Sequence, residues 1–372
     1  KCWRLNGVKR FITNGDADIQ LVLARSEEDT TDARGLSCFL YDRMDNAVTV
    51  RRVENKLGIK GAPTCELVYK NAPAQLIGDE RMGLIKYVMS LMNAARLGIG
   101  AQSVGLAEAA YRVAFKYANE REQFGKKIID FPPVYEMLAS MRAKIDGVRS
   151  LLYETSRFVD MYKLFTYESK ERSLSGEERD QMKYYQRFAD VYTPLLKLFA
   201  SEYCNQIASD ALQIHGGTGY MKDFPVERLV RDARITNIYE GTSQLQVVAA
   251  IRGINSGVFL KRVKEYEAIN LKPEWQVLKN TLIEMTNRFE RSLEIAKAWN
   301  NAEMFDFNSR RLVEMMGNII IGYLLLIDAD HNDAYAHSAH IFIRMGDAQN
   351  HEKENYIAVF TESDLAAYQS IK

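Results

Sequence analysis

The sequence has no excess of either charge: 49 lysines and arginines balance 49 aspartates and glutamates. A surface that neutralises phosphates needs a basic surplus, so nucleic acid is not an expected partner. Cysteine is scarce, with four in 372 residues: Cys2, Cys38, Cys65 and Cys204. None stands in a C-x-x-C pair, so these are expected to be buried thiols of a reducing compartment. No unbroken run approaches the roughly 18 apolar residues of a membrane span. The longest, Ile319 to Ile327, has the length of a core helix, and no membrane span is expected. No signal peptide, solenoid repeat, Walker sequence or Ser/His/Asp order is recognisable. An initiator methionine is also lacking. The opening residues, Lys1 to Gly7, read as mid-strand material entering a turn, so we expect an N-terminal portion to precede them.

What is present is ordinary globular composition, 47% apolar and 26% charged, with length for two or three domains. Residues 1–75 read as half of an antiparallel sheet domain. Phe11–Thr13 and Ile19–Ala24 are strand-like around the Asn14-Gly15-Asp16 turn, and Leu36–Tyr41, Val48–Val53 and Glu66–Tyr69 continue the pattern. Residues 76–255 take up a helical period. Long stretches at Tyr87–Ala118, Val134–Tyr167 and Met182–Ile214, and a fourth beginning near Val247, suggest an up-and-down bundle. Glu168–Asp180 is charged and reads as a solvated loop. Residues 256–372 are helical again, over Trp275–Trp299, Arg310–Ile327 and Tyr335–Met345, with Glu303–Asn308 as a connector. The fold class is therefore α+β and mainly α: a partial antiparallel β domain, a four-helix bundle and an additional C-terminal helical domain.

Three stretches could carry chemistry. Asn237–Gln244 (NIYEGTSQ) is a helix start preceded by a carboxylate. Thr242 or Ser243 can cap it, and Ser243 with Gln246 has capping-box spacing. Glu240 stands before the cap, next to Gly241 and facing the positive end of the helix, where it suits a general base. The same residues also fit a surface glutamate near a helix start. Gln213–Tyr220 (QIHGGTGY) is a glycine-rich turn whose exposed N–H groups suit an anion, or a plain helix C-cap. Lys222 stands where a dinucleotide fingerprint needs glycine, and a helix rather than a strand precedes it. Arg121, Lys126 and Lys127 gather at a helix end, where they complement the dipole or grip a phosphate. His337 and His340, with His331 nearby, lack the further ligands of a metal site.

Taken in order, these pieces resemble the acyl-CoA dehydrogenase family of flavoenzymes. The series is Lys9–Gly15, Lys56–Cys65, Asn93–Arg96, Arg121–Gly125, Gln213–Gly217 and Tyr239–Thr242, over roughly residues 3 to 254. The resemblance implies FAD as cofactor. Phe11, Ile12 and Thr13 would lie against the isoalloxazine. Thr242 and Gln244 would touch FAD of the same subunit, whereas Arg121, Phe124, Gln213, Gly216 and Gly217 would reach that of a neighbour. It implies an acyl-CoA substrate contacted by Asn93, Arg96 and Gly241. Glu240 would take the α-proton while hydride passes to flavin N5, giving a trans-2-enoyl-CoA, as in fatty acid β-oxidation. A rival position for the base immediately before Arg96 holds Ala95, which leaves Glu240. Asn93 replaces an aspartate common in the family, and Pro132 a glutamine near the FAD. The length beyond residue 256 resembles the larger members, the very-long-chain and 3-(methylthio)propionyl-CoA types, and implies a homodimer. Electron-transfer flavoprotein is the expected acceptor. The expected location is the bacterial cytoplasm, or the mitochondrial matrix in a eukaryote. Alternatives are an oxygen-using acyl-CoA oxidase and a flavin-binding relative with a nucleic-acid or stress-response role.

Overall fold

The structure is a computed structural model. It describes residues 2–371, without the side chains of Ile85, Met89, Ser90, Met92 and Asn93. The chain divides into two compact units, 1–95 and 96–372. It is mainly helical, with one small antiparallel sheet and a two-stranded hairpin.

The first unit is the sheet, of strands β1 (Trp3–Thr13), β2 (Ile19–Arg25), β3 (Leu36–Asp42), β4 (Val48–Val53) and β5 (Thr64–Ile77). Strand β5 organises it. Its first part pairs with β1 and β4, and its end with β3, which in turn pairs with β2. Alternation along β5 sends Cys65, Leu67 and Tyr69 into a core with Leu5, Val22, Phe39 and Tyr41. The opening residues, expected to enter a turn, continue as β1 instead. Gly7, at φ +132°, absorbs a register shift there without ending the strand. A second shift, between Lys9 and Ile12, puts Phe11 at φ +60° and leaves its ring 68% exposed. Of the four cysteines Cys38, Cys65 and Cys204 are buried. Cys2, expected to be buried, is exposed because it precedes the first paired residue of β1.

The helices are α1 (Met89–Glu120), α2 (Pro132–Glu171), α3 (Gly176–His215), α4 (Val226–Ala233), α5 (Ser243–Asn255), α6 (Val258–Glu267), α7 (Gln276–Ala298), α8 (Ala302–His331), α9 (Ala336–Val359) and α10 (Glu362–Gln369). The hairpin strands β6 (Glu122–Gln123) and β7 (Lys126–Lys127) separate α1 from α2. Pro132 and Pro133 start α2, where their missing N–H groups cost nothing. The charged stretch 168–180 is not the expected loop. It is the end of α2 and the start of α3, joined by residues 172–175 alone. Ser175 and Glu178 close a capping box that charge counting overlooked, and Arg172 binds both Glu168 and Glu178. Nor is 303–308 a connector: the Asn301 side chain caps α8 at Glu303 and Met304, and the helix runs on for 30 residues.

In the second unit, small residues of α1 (Ala107, Ala110, Ala114) pack with Leu138 and Met141 of α2 and Ile207 and Ala211 of α3. The helices after residue 255 share a second core with α2, α3 and α5, and α8 runs through its middle. Counted over the helix rather than over an unbroken run, α8 is long and apolar enough to cross a membrane. However, 83% of its apolar window is buried inside this protein. Close approach explains part of that burial: a Cβ built on Gly147 of α2 would stand 2.6 Å from Cγ2 of Ile321.

An ion network ties α1, α2 and α9 together. Glu108 accepts from Arg112 (2.8 Å), Arg142 (3.0 Å) and Arg149 (2.7 Å), and Asp146 accepts from Arg142 and from Ser338 of α9. Desolvation pushes the Glu108 carboxyl up, but the hydrogen bonds of Arg149 and Arg112 and the charge of Arg142 outweigh it and hold the pKa at about 2. A depressed acid stabilises the fold above its unfolded value, near 4.5, and loses that contribution as pH falls toward 2. Glu108→Gln is expected to cost about 1–3 kcal/mol at pH 7, after allowing for solvent screening. The difference from wild type should shrink between pH 4.5 and 3 in urea titrations of the full-length protein.

Candidate functional site

Glu240 stands on a turn that three helices hold. The turn follows α4 and a short 3-10 stretch, Arg234–Asn237, and ends where Thr242 leads into α5. Glu240 has φ +53°, a conformation that costs a non-glycine residue about 1–3 kcal/mol and persists only where surroundings enforce it. Gly241 follows at φ +96°. The conformation favours glycine, and a Cβ there would stand 2.7 Å from Gln246 Nε2 and push that amide off the turn.

The enforcing contacts fall on two adjacent carbonyls. Arg96 of α1 donates through Nε to the Glu240 carbonyl at 3.3 Å. Lys197 of α3 donates through Nζ to the Gly241 carbonyl at 2.7 Å. Gln246 of α5 donates through Nε2 to both, at 3.3 and 2.9 Å. The capping box expected of Ser243 and Gln246 does not form, because both side chains are engaged elsewhere. The Ser243 hydroxyl donates to Glu202 of α3, and Thr242 occupies the N-cap without a side-chain bond. Tyr239 donates to Gln102 of α1 and so fixes the other side of the turn.

The Glu240 carboxylate itself makes no hydrogen bond or ion pair among the described residues. It is half-buried, with two cations close by. Burial pushes the Arg96 guanidinium down from its ordinary pKa, and the charge of Glu240 pushes it back up. Desolvation brings Lys197 down to about 8, against the opposing charges of Glu202 and Glu240. An uncommitted carboxylate on a strained, clamped backbone is free to accept a proton from another molecule.

A second cluster gathers around Tyr117 near the end of α1. Its carbonyl accepts from the Arg121 N–H at 2.8 Å, its hydroxyl pairs with the Thr218 hydroxyl at 3.0 Å, and its ring stacks on His215 at 4.4 Å. The hairpin bearing Arg121 and Phe124 and the turn bearing Gln213, Gly216 and Gly217 are thus joined through one residue. Phe124 has φ +51° and is 93% exposed. Gly216, at φ +60°, caps α3. A Cβ on Gly217 would meet nothing within 4 Å, so nothing in this chain demands glycine there. An exposed aromatic, an exposed arginine and an open glycine turn suit a flat ring system joined to phosphates.

Phe11, Ile12 and Thr13 lie on β1 in the first unit. There Ile12 also lines a largely apolar cavity of about 630 Å³ with Leu21, Leu23, Tyr69, Tyr87 and Leu91. Asn93 falls on α1, and its side chain lies outside the described residues. Thr242 is half-buried and Gln244 exposed. Sequence reasoning missed Lys197, Gln246 and Glu202 as parts of the clamp. The signal was there for Lys197: one charge inside the apolar run from Leu195 to Ala200. Among the described residues no three histidines, cysteines or acids group as metal ligands.

Comparison with known proteins gives matches along most of the chain. Residues 1–72 match the model of the acyl-CoA dehydrogenase middle domain, 85–254 that of the acyl-CoA dehydrogenase C-terminal domain, and 255–365 that described as acyl-CoA dehydrogenase C terminal. The caffeyl-CoA reductase–Etf complex subunit CarC of Acetobacterium woodii is 34% identical over 261 residues, 69% of this chain and 61% of that protein. Among solved structures, Caenorhabditis elegans ACDH-11 in complex with C11-CoA gives a TM-score of 0.79 at 28% identity, over 92% of this chain and 58% of that one. Acyl-CoA dehydrogenase from Bacillus anthracis complexed with FAD gives 0.77 at 25% identity, over 99% and 66%. The chain spans about three fifths of the length of its curated relatives, 61% and 59% for the first two.

Proposed function

Since this chain belongs to the acyl-CoA dehydrogenase family, we propose that the full-length protein removes the α- and β-hydrogens of an acyl-CoA thioester, with FAD as its cofactor and Glu240 as the base. The observation that carries this is the clamped Glu240 turn: a carboxylate without a partner among the described residues, on a backbone at φ +53° held by Arg96, Lys197 and Gln246.

FAD would be held by Phe11, Ile12, Thr13, Thr242 and Gln244 of one subunit and by Arg121, Phe124, Gln213, Gly216 and Gly217 of its partner in a homodimer. The exposure of Phe124 and the open Gly217 turn support that assignment. Bound there, FAD supplies a hydride acceptor for the β-carbon. The chain supplies the rest. Glu240 receives the α-proton. Gly241, lacking a side chain, lets the thioester come near the turn. The Glu240 backbone N–H is a donor for the oxygen that becomes enolate-like as the α-proton leaves. Arg96 and Gln246 keep the turn from relaxing, so the carboxylate does not wander from the proton. Electron-transfer flavoprotein is the acceptor we propose, in keeping with the reductase–Etf complex to which CarC belongs.

Saturated acyl-CoAs of graded chain length, added without oxygen to the full-length protein, should bleach its yellow colour. Failure of the whole series to do so refutes the reading. Peroxide released in step with turnover in air would replace the dehydrogenase assignment with an oxidase.

A further inference from the structure

Lys197 has no ordinary structural reason to be a lysine. It is fully buried in α3, with Leu195, Leu196, Leu198 and Phe199 around it in sequence, all buried as well. Its one hydrogen bond among the described residues goes to a main-chain carbonyl, that of Gly241 at 2.7 Å. It forms no ion pair within 4.0 Å with either acid whose charge it feels, Glu202 or Glu240. Burying an ammonium on such terms costs more than burying a methionine of similar length. That cost is set against what the ammonium holds.

What it holds is the residue after Glu240. The next residues are pinned from α3 as well, because Glu202 accepts the Ser243 hydroxyl and lies 3.9 Å from Arg310 of α8. Lys197 and Glu202 are thus two points on one helix that grip the chain on either side of Thr242. Arg310 links the grip to the helices beyond residue 255. In the cavity behind it, about 270 Å³, Glu202, Arg310, Glu314 and Lys353 are already paired with one another, and Glu352 also lines it.

We propose that Lys197 is a positioning residue for Glu240: its ammonium, seated on the Gly241 carbonyl, holds the turn in the strained conformation that aims the carboxylate, and Glu202 with Arg310 anchors the far side. The proposal rests on the assignment of Glu240 as base. Position matters at this scale, because a displacement of about 1 Å between base and proton is enough for a loss of about 100-fold. Relief of the φ +53° conformation at Glu240 would swing the carboxylate by at least that much.

The test uses the full-length flavoprotein and the variant Lys197→Met, which keeps length and removes the donor. The expected kcat is about 10- to 100-fold lower with KM within about threefold of wild type. Hydrogen exchange read by mass spectrometry should quicken about tenfold or more in the 238–244 peptide and stay unchanged in α8. Wild-type kcat together with wild-type protection of that peptide overturns the proposal, even where Glu240→Gln is inactive. Activity surviving in Glu240→Gln refutes the base assignment instead, and the exchange result then still decides whether Lys197 holds the turn. Should Lys197→Met not fold, Gln246→Leu withdraws a donor from the same two carbonyls without altering a buried charge. It should show the same exchange and kcat change, and wild-type values for both overturn the clamp.

Discussion

Glu240→Gln in the full-length protein is expected to lower kcat by about 10²- to 10⁴-fold, the usual contribution of a positioned general base. Glutamine has the same shape, and the contacts that fix this turn go to main-chain carbonyls, which the substitution leaves in place. The carboxylate has no hydrogen-bonding partner among the described residues to lose, so stability should change by no more than about 0.5 kcal/mol. Flavin content and acyl-CoA affinity should therefore stay near wild type. Anaerobic stopped-flow reduction separates these quantities: binding amplitude survives while the reduction rate collapses. Reduction at the wild-type rate would remove Glu240 from the role of base.

Ile321→Ala should be among the most destabilising single changes, at about 2–5 kcal/mol. Ile321 is fully buried in the middle of α8, and its Cγ2 fills the notch left by Gly147 on α2. Removing it opens a cavity between α2 and α8. Gly147→Ala alone should cost about 1–3 kcal/mol by overpacking, since its Cβ would stand 2.6 Å from that methyl. In Gly147→Ala/Ile321→Ala the new methyl enters the vacated space. The double variant should then be more stable than the sum of the single losses by about 1 kcal/mol or more. Strict additivity in urea titrations would show that α2 and α8 do not meet through this pair.

Much of the architecture was legible because its signals are local. Period-two alternation gave the strands of the first unit, and apolar spacing gave the cores of α1, α2, α3, α7 and α8. The errors came where a cap or a bulge competes with composition. The charged stretch at 168–180 reads as loop by charge, yet the Ser175–Glu178 box and the ion pairs of Arg172 make it two helix ends. Ser243 and Gln246 have the spacing of a box, yet Glu202 and two carbonyls compete for them and win. Spacing states what a side chain can reach locally and says nothing of what a helix 40 residues away offers it.

The sequence by itself determined the family and pointed to Glu240, because an ordered series of short motifs survives as a string of letters. Only the tertiary structure decided what these residues do to one another. Arg96, Lys197 and Gln246 are separated by up to 150 positions and converge on the carbonyls of Glu240 and Gly241. The left-handed backbone at Glu240 and Phe11 follows from such enforcement and from a register shift between strands. Neither has an evident local sequence cause, since glutamate and phenylalanine, unlike the asparagines of the local turns, pay for that conformation and keep it where the surroundings enforce it.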